Sequence, residues 1–301
     1  MRRGRGQNPR STALVRPPLN ATGGRPSRRG PRAVLVASLL GLVVCAGCRL
    51  PLRPALPEGG ASLERQLVLN GHRLRLHMHQ PGTAAARPLL VYATGDGGWA
   101  GKDLSAYRAL AGSGDPVVGF DAHDYVRHLG AGLAATTTPA RLAHDYQAII
   151  AAAEEAMHLP AGCPVVLVGV SRGAGLAVVA AGAASLRPAL RGVLAVGLTR
   201  EEEYARWLRP IRPMARRRIP VMIQLYDYLP RLGSLPIAVI QSTNDNYLPA
   251  AAARTLFGPD TPSHRFIAIQ ARNHSFAGAR DKMYVAMAEA LEWIDARGSA
   301  F

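Results

Sequence analysis

Residues 164–176 read PVVLVGVSRGAGL. Val165 to Val168 and Val170 are apolar and mostly β-branched, a run that fits a strand covered on both faces. The run stops at Ser171, and small residues follow at Gly173, Ala174 and Gly175. Gly169 to Gly173 spells G-x-S-x-G, which between a strand and a helix predicts a sharp turn with the serine at its strained apex. The glycines are needed because a side chain at 169 or 173 would strike neighbouring backbone. Such a turn lifts the hydroxyl above the strand end and points the backbone N–H of Arg172 at the same spot. Ser171 is therefore read as a nucleophile and Arg172 as an oxyanion donor through its amide.

Working outward, Pro88–Thr94 (PLLVYAT) is a second continuous apolar run, followed at once by Gly95-Asp96-Gly97-Gly98-Trp99. A glycine-rich loop in this place lets backbone N–H groups approach a reacting carbonyl. The Asp96 amide is read as the second oxyanion donor, with Gly95, Gly97 and Trp99 beside the substrate. No Gly-Lys-Ser/Thr follows, which excludes a phosphate-binding loop. Pro116–Phe120 is the next strand and ends at Asp121. The segment 122–137, with Tyr125, Gly130 and Gly132, reads as a loop, and Asp121 and Tyr125 are candidate substrate contacts. Thr138-Pro139 opens a helix whose stripe is Leu142, Tyr146, Ile149, Ile150, Ala153 and Met157. Further strands are expected at Arg191–Leu198, Pro236–Gln241 and Arg265–Ile269, and a last helix near 277–296. Alternation of strands and helices from residue 88 onward predicts a mainly parallel sheet. Upstream, Asn70-Gly71 marks a hairpin on the antiparallel edge. It carries His72, His77 and His79; His77 and His79 share a face, read as a polar strand surface in preference to a metal site.

An acid and a base follow in order. Asp245 lies just past the strand 236–241, and His274 lies just past the strand 265–269. The order Ser171…Asp245…His274, each at a strand's C-terminal end, predicts an α/β-hydrolase fold. Its central sheet is flanked by helices and carries a small insert after the sixth strand. His274 would take and return the proton of Ser171, and Asp245 would hold the imidazole tautomer. Asp121 is a rival for the acid. No cofactor and no metal are expected.

The chain has 301 residues and a formal charge of +16. Nine arginines and no acid fall in residues 1–47, so residues 48–301 carry only +7. Basicity of this kind does not point to nucleic acid. Residues 1–32 read as a disordered basic leader, 33–48 as a signal segment, 49–62 as a tether and 63–301 as the hydrolase domain. The uncharged run Ala33–Gly47 is too short for a comfortable membrane span. It ends in Cys45-Ala46-Gly47-Cys48, which resembles a lipobox and makes Cys48 the expected lipidated residue. A periplasmic, membrane-tethered protein is expected. Residues 199–235 interrupt the alternation. There Glu201, Glu202 and Glu203 precede Arg206, Arg209, Arg212, Arg216, Arg217 and Arg218, with Trp207, Ile211 and Met214 interleaved. Contact with anionic lipid headgroups and an ordinary solvated face both remain open for it. Cys163 reads as a buried small hydrophobe.

Three stretches, GDGGW at 95–99, PVVGFDAHDY at 116–125 and VVLVGVSRGAG at 165–175, resemble the VirJ/AcvB bacterial virulence protein family over roughly residues 85–297. The chain departs from the family's elbow pattern at Val170, Arg172 and Gly175. The resemblance implies an α/β-hydrolase exported to the periplasm and linked to type IV secretion. It also implies Ser171, Asp245 and His274 as triad and, for some members, hydrolysis of lysyl-phosphatidylglycerol. Asp96, Asp121 or the Glu201–Glu203 run would then receive the lysyl ammonium. The expected function is an exported serine hydrolase acting on an aminoacyl-lipid ester. A non-catalytic escort of secretion-system proteins and a general carboxylesterase are the alternatives.

Overall fold

Asn70 and Gly71 take φ values of 54° and 80°. This left-handed pair turns the chain back so that β1 (Ala61–Leu69) and β2 (His72–Gln80) pair antiparallel, with Leu69 opposite His72. The computed structural model describes residues 60–82, 87–129, 139–212 and 215–298, with side chains 129 and 203–221 left aside. The basic leader, the signal segment, Cys48 and residues 49–59 of the tether lie outside the described residues.

After β2 come β3 (Leu89–Ala93), α1 (Gly101–Ala111), β4 (Val117–Phe120), α2 (Ala122–Leu129) and α3 (Pro139–Ala156). Next are β5 (Val165–Val170), α4 (Arg172–Ala181) and β6 (Leu190–Val196), then β7 (Glu201–Arg212) and β8 (Ala215–Gln224). The chain continues through β9 (Ile237–Ser242), α5 (Ala250–Phe257), β10 (His264–Ile269) and α6 (Arg280–Gly298). The main sheet has eight strands in the order β1-β2-β4-β3-β5-β6-β9-β10. β2 meets β4 antiparallel, and every pairing from β4 to β10 is parallel.

The apolar run of β5 is continuous because both faces are covered. Val165 and Leu167 join a core built with Leu142, Tyr146 and Ile149 of α3 and with α4. Val166, Val168 and Val170 join the opposite core, made with Tyr107 and Leu110 of α1 and with Met283, Met287 and Ile294 of α6. Parallel strands sandwiched between helices have no wet face, so the period-2 alternation of half-exposed strands is lost. α4 is buried from Gly173 to Ala181, as its all-apolar surface requires. Among the described residues no helix is long and apolar enough to cross a membrane.

One segment departs from the expectation, and the expected insert takes a definite form. Residues 122–129 are helical rather than a loop: Asp121 Oδ1 accepts the Asp124 N–H at 3.0 Å and caps the first turn, while Ala122 and Tyr125 turn into the core. The insert after β6 is a separate two-stranded antiparallel sheet of β7 and β8. The side chains of Glu203 and of the arginine run 206–218 lie outside the described residues.

His79 is the one polar histidine of β2 that disappears from solvent, at 1 % exposure. Neither ring nitrogen has a hydrogen-bond partner. Gly60 lies directly on the ring, where a Cβ would come within 2.4 Å of it. Burial lowers the pKa of His79, and it does the same for His264 and, against the pull of Glu64, for His77. Each ring therefore gives up its proton more readily in the fold than in the unfolded chain, whose histidines titrate near about 6.5. Their contribution to stability is thus complete above that pH and is lost as pH falls. Urea unfolding at pH 7.5 and 5.5 should show lower stability at 5.5. His79→Leu should shrink that difference, and an unchanged difference would contradict this role for the ring.

Candidate active site

Ser171 stands between β5 and α4 with φ 54° and ψ −116°, a strained combination for a residue with a side chain. Three close approaches hold it there. The Ser171 N–H donates to the Val196 carbonyl at 2.8 Å. A Cβ at Gly169 would lie 2.1 Å from the Gly173 oxygen, and one at Gly173 would lie 2.1 Å from the Ala93 oxygen. The two glycines let the first turn of α4 fold back onto β5 and β3. The surrounding backbone therefore fixes the serine's orientation, and the hydroxyl is presented at the C-terminal edge of the sheet.

The structure brings His274 and Asp245 to that hydroxyl. His274 Nε2 is 2.8 Å from Ser171 Oγ, and His274 Nδ1 is 2.6 Å from Asp245 Oδ2. Asp245 is 1 % exposed. Its carboxylate also accepts the Gln241 amide at 3.0 Å and the backbone N–H groups of Tyr247 at 2.8 Å and Leu248 at 3.2 Å. A carboxylate satisfied in this way orients the imidazole and stabilises its protonated form. Gly197, at φ 65°, passes beneath the imidazole, where a Cβ would stand 3.1 Å from Cε1. The Tyr247 ring meets His274 edge-on at 4.8 Å.

The glycine-rich loop closes the other side. Asp103, 1 % exposed in the first turn of α1, accepts the Gly95 N–H at 2.9 Å and lies 3.3 Å from the Lys102 ammonium. That contact fixes the loop, and Asp96 lines the same cavity as Ser171. Arg172 opens α4 directly after Ser171. The side chains of Asp96 and Arg172 are tied together. The Arg172 guanidinium binds the Asp96 carboxylate through Nε and Nη2, and it lies 3.1 Å from Glu202 Oε1. Burial alone would raise the Asp96 carboxyl, but the hydrogen bond and charge of Arg172, aided by His123, hold it below its usual range.

The hydroxyl opens into a cavity of about 770 Å³. Its wall carries Asp96, Glu201 and Glu202 together with Lys102, Arg172 and Arg200, and less polar surface from Met222 and Tyr247. Gly97 lines it, and Gly95 packs beneath the serine, where a Cβ would be 3.3 Å from Ser171 Cβ. Three residues expected near the substrate are placed elsewhere. Trp99 stacks on His77 at 4.0 Å and packs against Tyr107. Asp121 accepts the Trp99 N–H at 3.1 Å and touches Gly98, whose φ of 63° admits no side chain there. Tyr125 is buried with its hydroxyl donating to Asp145 at 2.8 Å. Asp121 thus shapes the loop from behind and is not the acid facing His274. Asp103, Gln241 and Gly197 escaped the sequence reading because each acts through a contact that no motif spacing announces. Cys163 is buried, and burial, followed by Glu154, pushes its thiol up to about 11. Such a thiol is a poor nucleophile.

The sheet order, the strained serine and the Ser–His–Asp chain define an α/β-hydrolase fold. Within it, residues 88–208 match the family described as bacterial virulence protein (VirJ), which bears out the resemblance carried by GDGGW and the serine turn. Among solved structures, Est1E from Butyrivibrio proteoclasticus is similar with a TM-score of 0.55 at 13 % identity, over 77 % of this chain and 98 % of that one. A cold-adapted esterase from an Arctic intertidal metagenomic library gives 0.54 at 13 % identity, over 81 % and 96 %. The esterase domain of a Rhodothermus marinus protein gives 0.50 at 17 % identity, over 79 % and 97 %. At these identities the likeness is one of fold. No curated protein matches the sequence.

Gly173→Ala drives a methyl group into the Ala93 carbonyl and should destabilise the protein by about 3 kcal/mol. Denaturant unfolding would measure it, and a loss below 0.5 kcal/mol (about the scatter of surface substitutions) would contradict the close packing of α4 on β3.

Proposed function

We propose that the protein is a serine ester hydrolase, exported and tethered at a membrane surface, whose substrate is an aminoacyl ester of an anionic phospholipid such as lysyl-phosphatidylglycerol. The observation that carries the hydrolase reading is the continuous contact from Ser171 Oγ through His274 to Asp245. His274 Nε2 takes the hydroxyl proton as Oγ bonds to the ester carbonyl carbon. The carbonyl oxygen becomes an oxyanion held by the Asp96 and Arg172 amides, each such donor contributing about 3 kcal/mol of barrier lowering. Collapse breaks the ester C–O bond, and His274 returns the proton to the departing glycerol oxygen. Water then repeats the sequence on the acyl-enzyme and frees the amino acid. Asp245 stays ionised and balances the imidazolium.

The substrate class rests on the charge of the cavity. Three carboxylates, Asp96, Glu201 and Glu202, suit an ammonium, and Lys102 and Arg200 suit a phosphate. An aminoacyl phosphatidylglycerol presents both signs on one headgroup. The lipobox-like Cys45–Cys48 and the arginine-rich hairpin of β7 and β8 suit a protein that works where lipid is. The VirJ match supports the same reading, and the esterase names of the fold relatives support ester chemistry generally.

The test is release of free lysine from vesicles containing lysyl-phosphatidylglycerol by the purified full chain. The proposal expects turnover, and a loss of about 10⁴-fold or more in Ser171→Ala. Intact lipid beside rapid cleavage of p-nitrophenyl esters would instead mark a general carboxylesterase. Full biological activity of Ser171→Ala would mark a non-catalytic escort of secretion proteins.

A further inference from the structure

We propose that His72, Asp124 and His128 form a binding site for a divalent transition-metal ion of the zinc class, separate from the serine centre. His72 is the first residue of β2, placed by the Asn70-Gly71 turn. Asp124 and His128 lie four residues apart on α2, hence on one face of that helix. One ligand atom from each residue lies within 4.8 Å of the other two. His72 Nε2 is 3.1 Å from Asp124 Oδ2. Two ligands bound to one tetrahedral zinc at its usual bond lengths stand about 3.3 Å apart, so this spacing already approximates a shared ion.

The His128 tautomer favours ligation. His128 Nδ1 lies 2.7 Å from the Asp124 carbonyl oxygen, which can only accept, so the ring donates there and its Nε2 keeps the lone pair. Ligating histidines characteristically give their second N–H to a backbone carbonyl in this way. The His72 and His128 rings are stacked at 3.4 Å and within 6° of parallel. Two imidazole nitrogens with one carboxylate oxygen are a donor set that suits a borderline dication. Closure requires the rings to open from parallel into a V, a rotation about χ2, which is a soft torsion. His72 then ligates through Nε2 and carries its proton on Nδ1. Part exposure of all three side chains gives the ion a path from solvent, and three protein ligands leave room for water.

The surroundings set the limits of the site. Asp121 lies three residues before Asp124 and caps the same helix. Arg73 and Arg75 of β2 line the adjoining cleft of about 480 Å³, which Asp124 also borders. These arginines disfavour a second cation and confine binding to one ion. An ion here would clamp α2 to β2. It would brace Asp121, which holds the Trp99 amide of the glycine-rich loop.

The test uses the full chain in detergent, without a polyhistidine tag and stripped with a chelator, then titrated with Co²⁺. Visible d–d absorption reports ligation, and thermal unfolding reports stabilisation. The wild type should show a Co²⁺ band and a rise in Tm. His72→Gln/His128→Gln should bind one ion fewer and lose that rise, and Asp124→Asn should bind at least about tenfold more weakly. Wild-type labelling of Ser171 by a fluorophosphonate would establish that the variants are folded. Equal Co²⁺ stoichiometry in the double variant, or no Co²⁺ bound by the wild type, would overturn the site.

Discussion

The contact between Gly173 and the Ala93 carbonyl, with Gly169 folded against Gly173, is the constraint on which the rest of the structure depends. It brings α4 so close to β3 and β5 that Ser171 must adopt a left-handed, strained backbone. Once that turn is set, the Ser171 hydroxyl points past the sheet edge, and the strand ends of β9 and β10 need only deliver an acid and a base. They do so with a buried carboxylate that accepts from four donors before any substrate arrives. The strain is local, and the two buried cores on either side of the sheet pay for it.

Much of this was legible in the chain itself. β3, β5 and β9 are continuous apolar runs, and only a strand buried on both faces or a buried helix explains such runs. Asn70-Gly71 fixed the hairpin register, since a left-handed two-residue turn admits few other residues. The order Ser171, Asp245, His274 survives as three residues just past the C-terminal ends of β5, β9 and β10, with β6 between the first two. α2 was not legible, because its eight residues contain two histidines, an arginine and an aspartate, and its cap comes from Asp121, just outside it. Asp103 and Gly197 carry no local signature at all. Their roles are contacts with Gly95 and His274, and contacts across the fold leave no spacing in the sequence. Trp99, Asp121 and Tyr125 show the converse. Trp99 ends the loop and the other two follow the next strand, yet packing directs all three away from the cavity.

Arg172 is the residue whose position and chemistry diverge most from a plain hydrolase. It follows the serine directly in the chain, while its guanidinium joins Asp96 of the glycine-rich loop to Glu202 of β7. A cation beside a nucleophile would ordinarily attract any anionic ester. Compensated by two carboxylates, it acts instead as a strut between the loop and the β7–β8 hairpin. The substrate therefore meets a cavity wall of mixed sign.

The central claim is that Ser171 is activated by His274 and Asp245. Fluorophosphonate labelling of the folded chain followed by peptide mass spectrometry tests it most directly. The account predicts one phosphonylated residue, Ser171, with labelling that is suppressed in His274→Ala and in Asp245→Ala. Folded protein that takes no label, or takes it equally in His274→Ala, would contradict it.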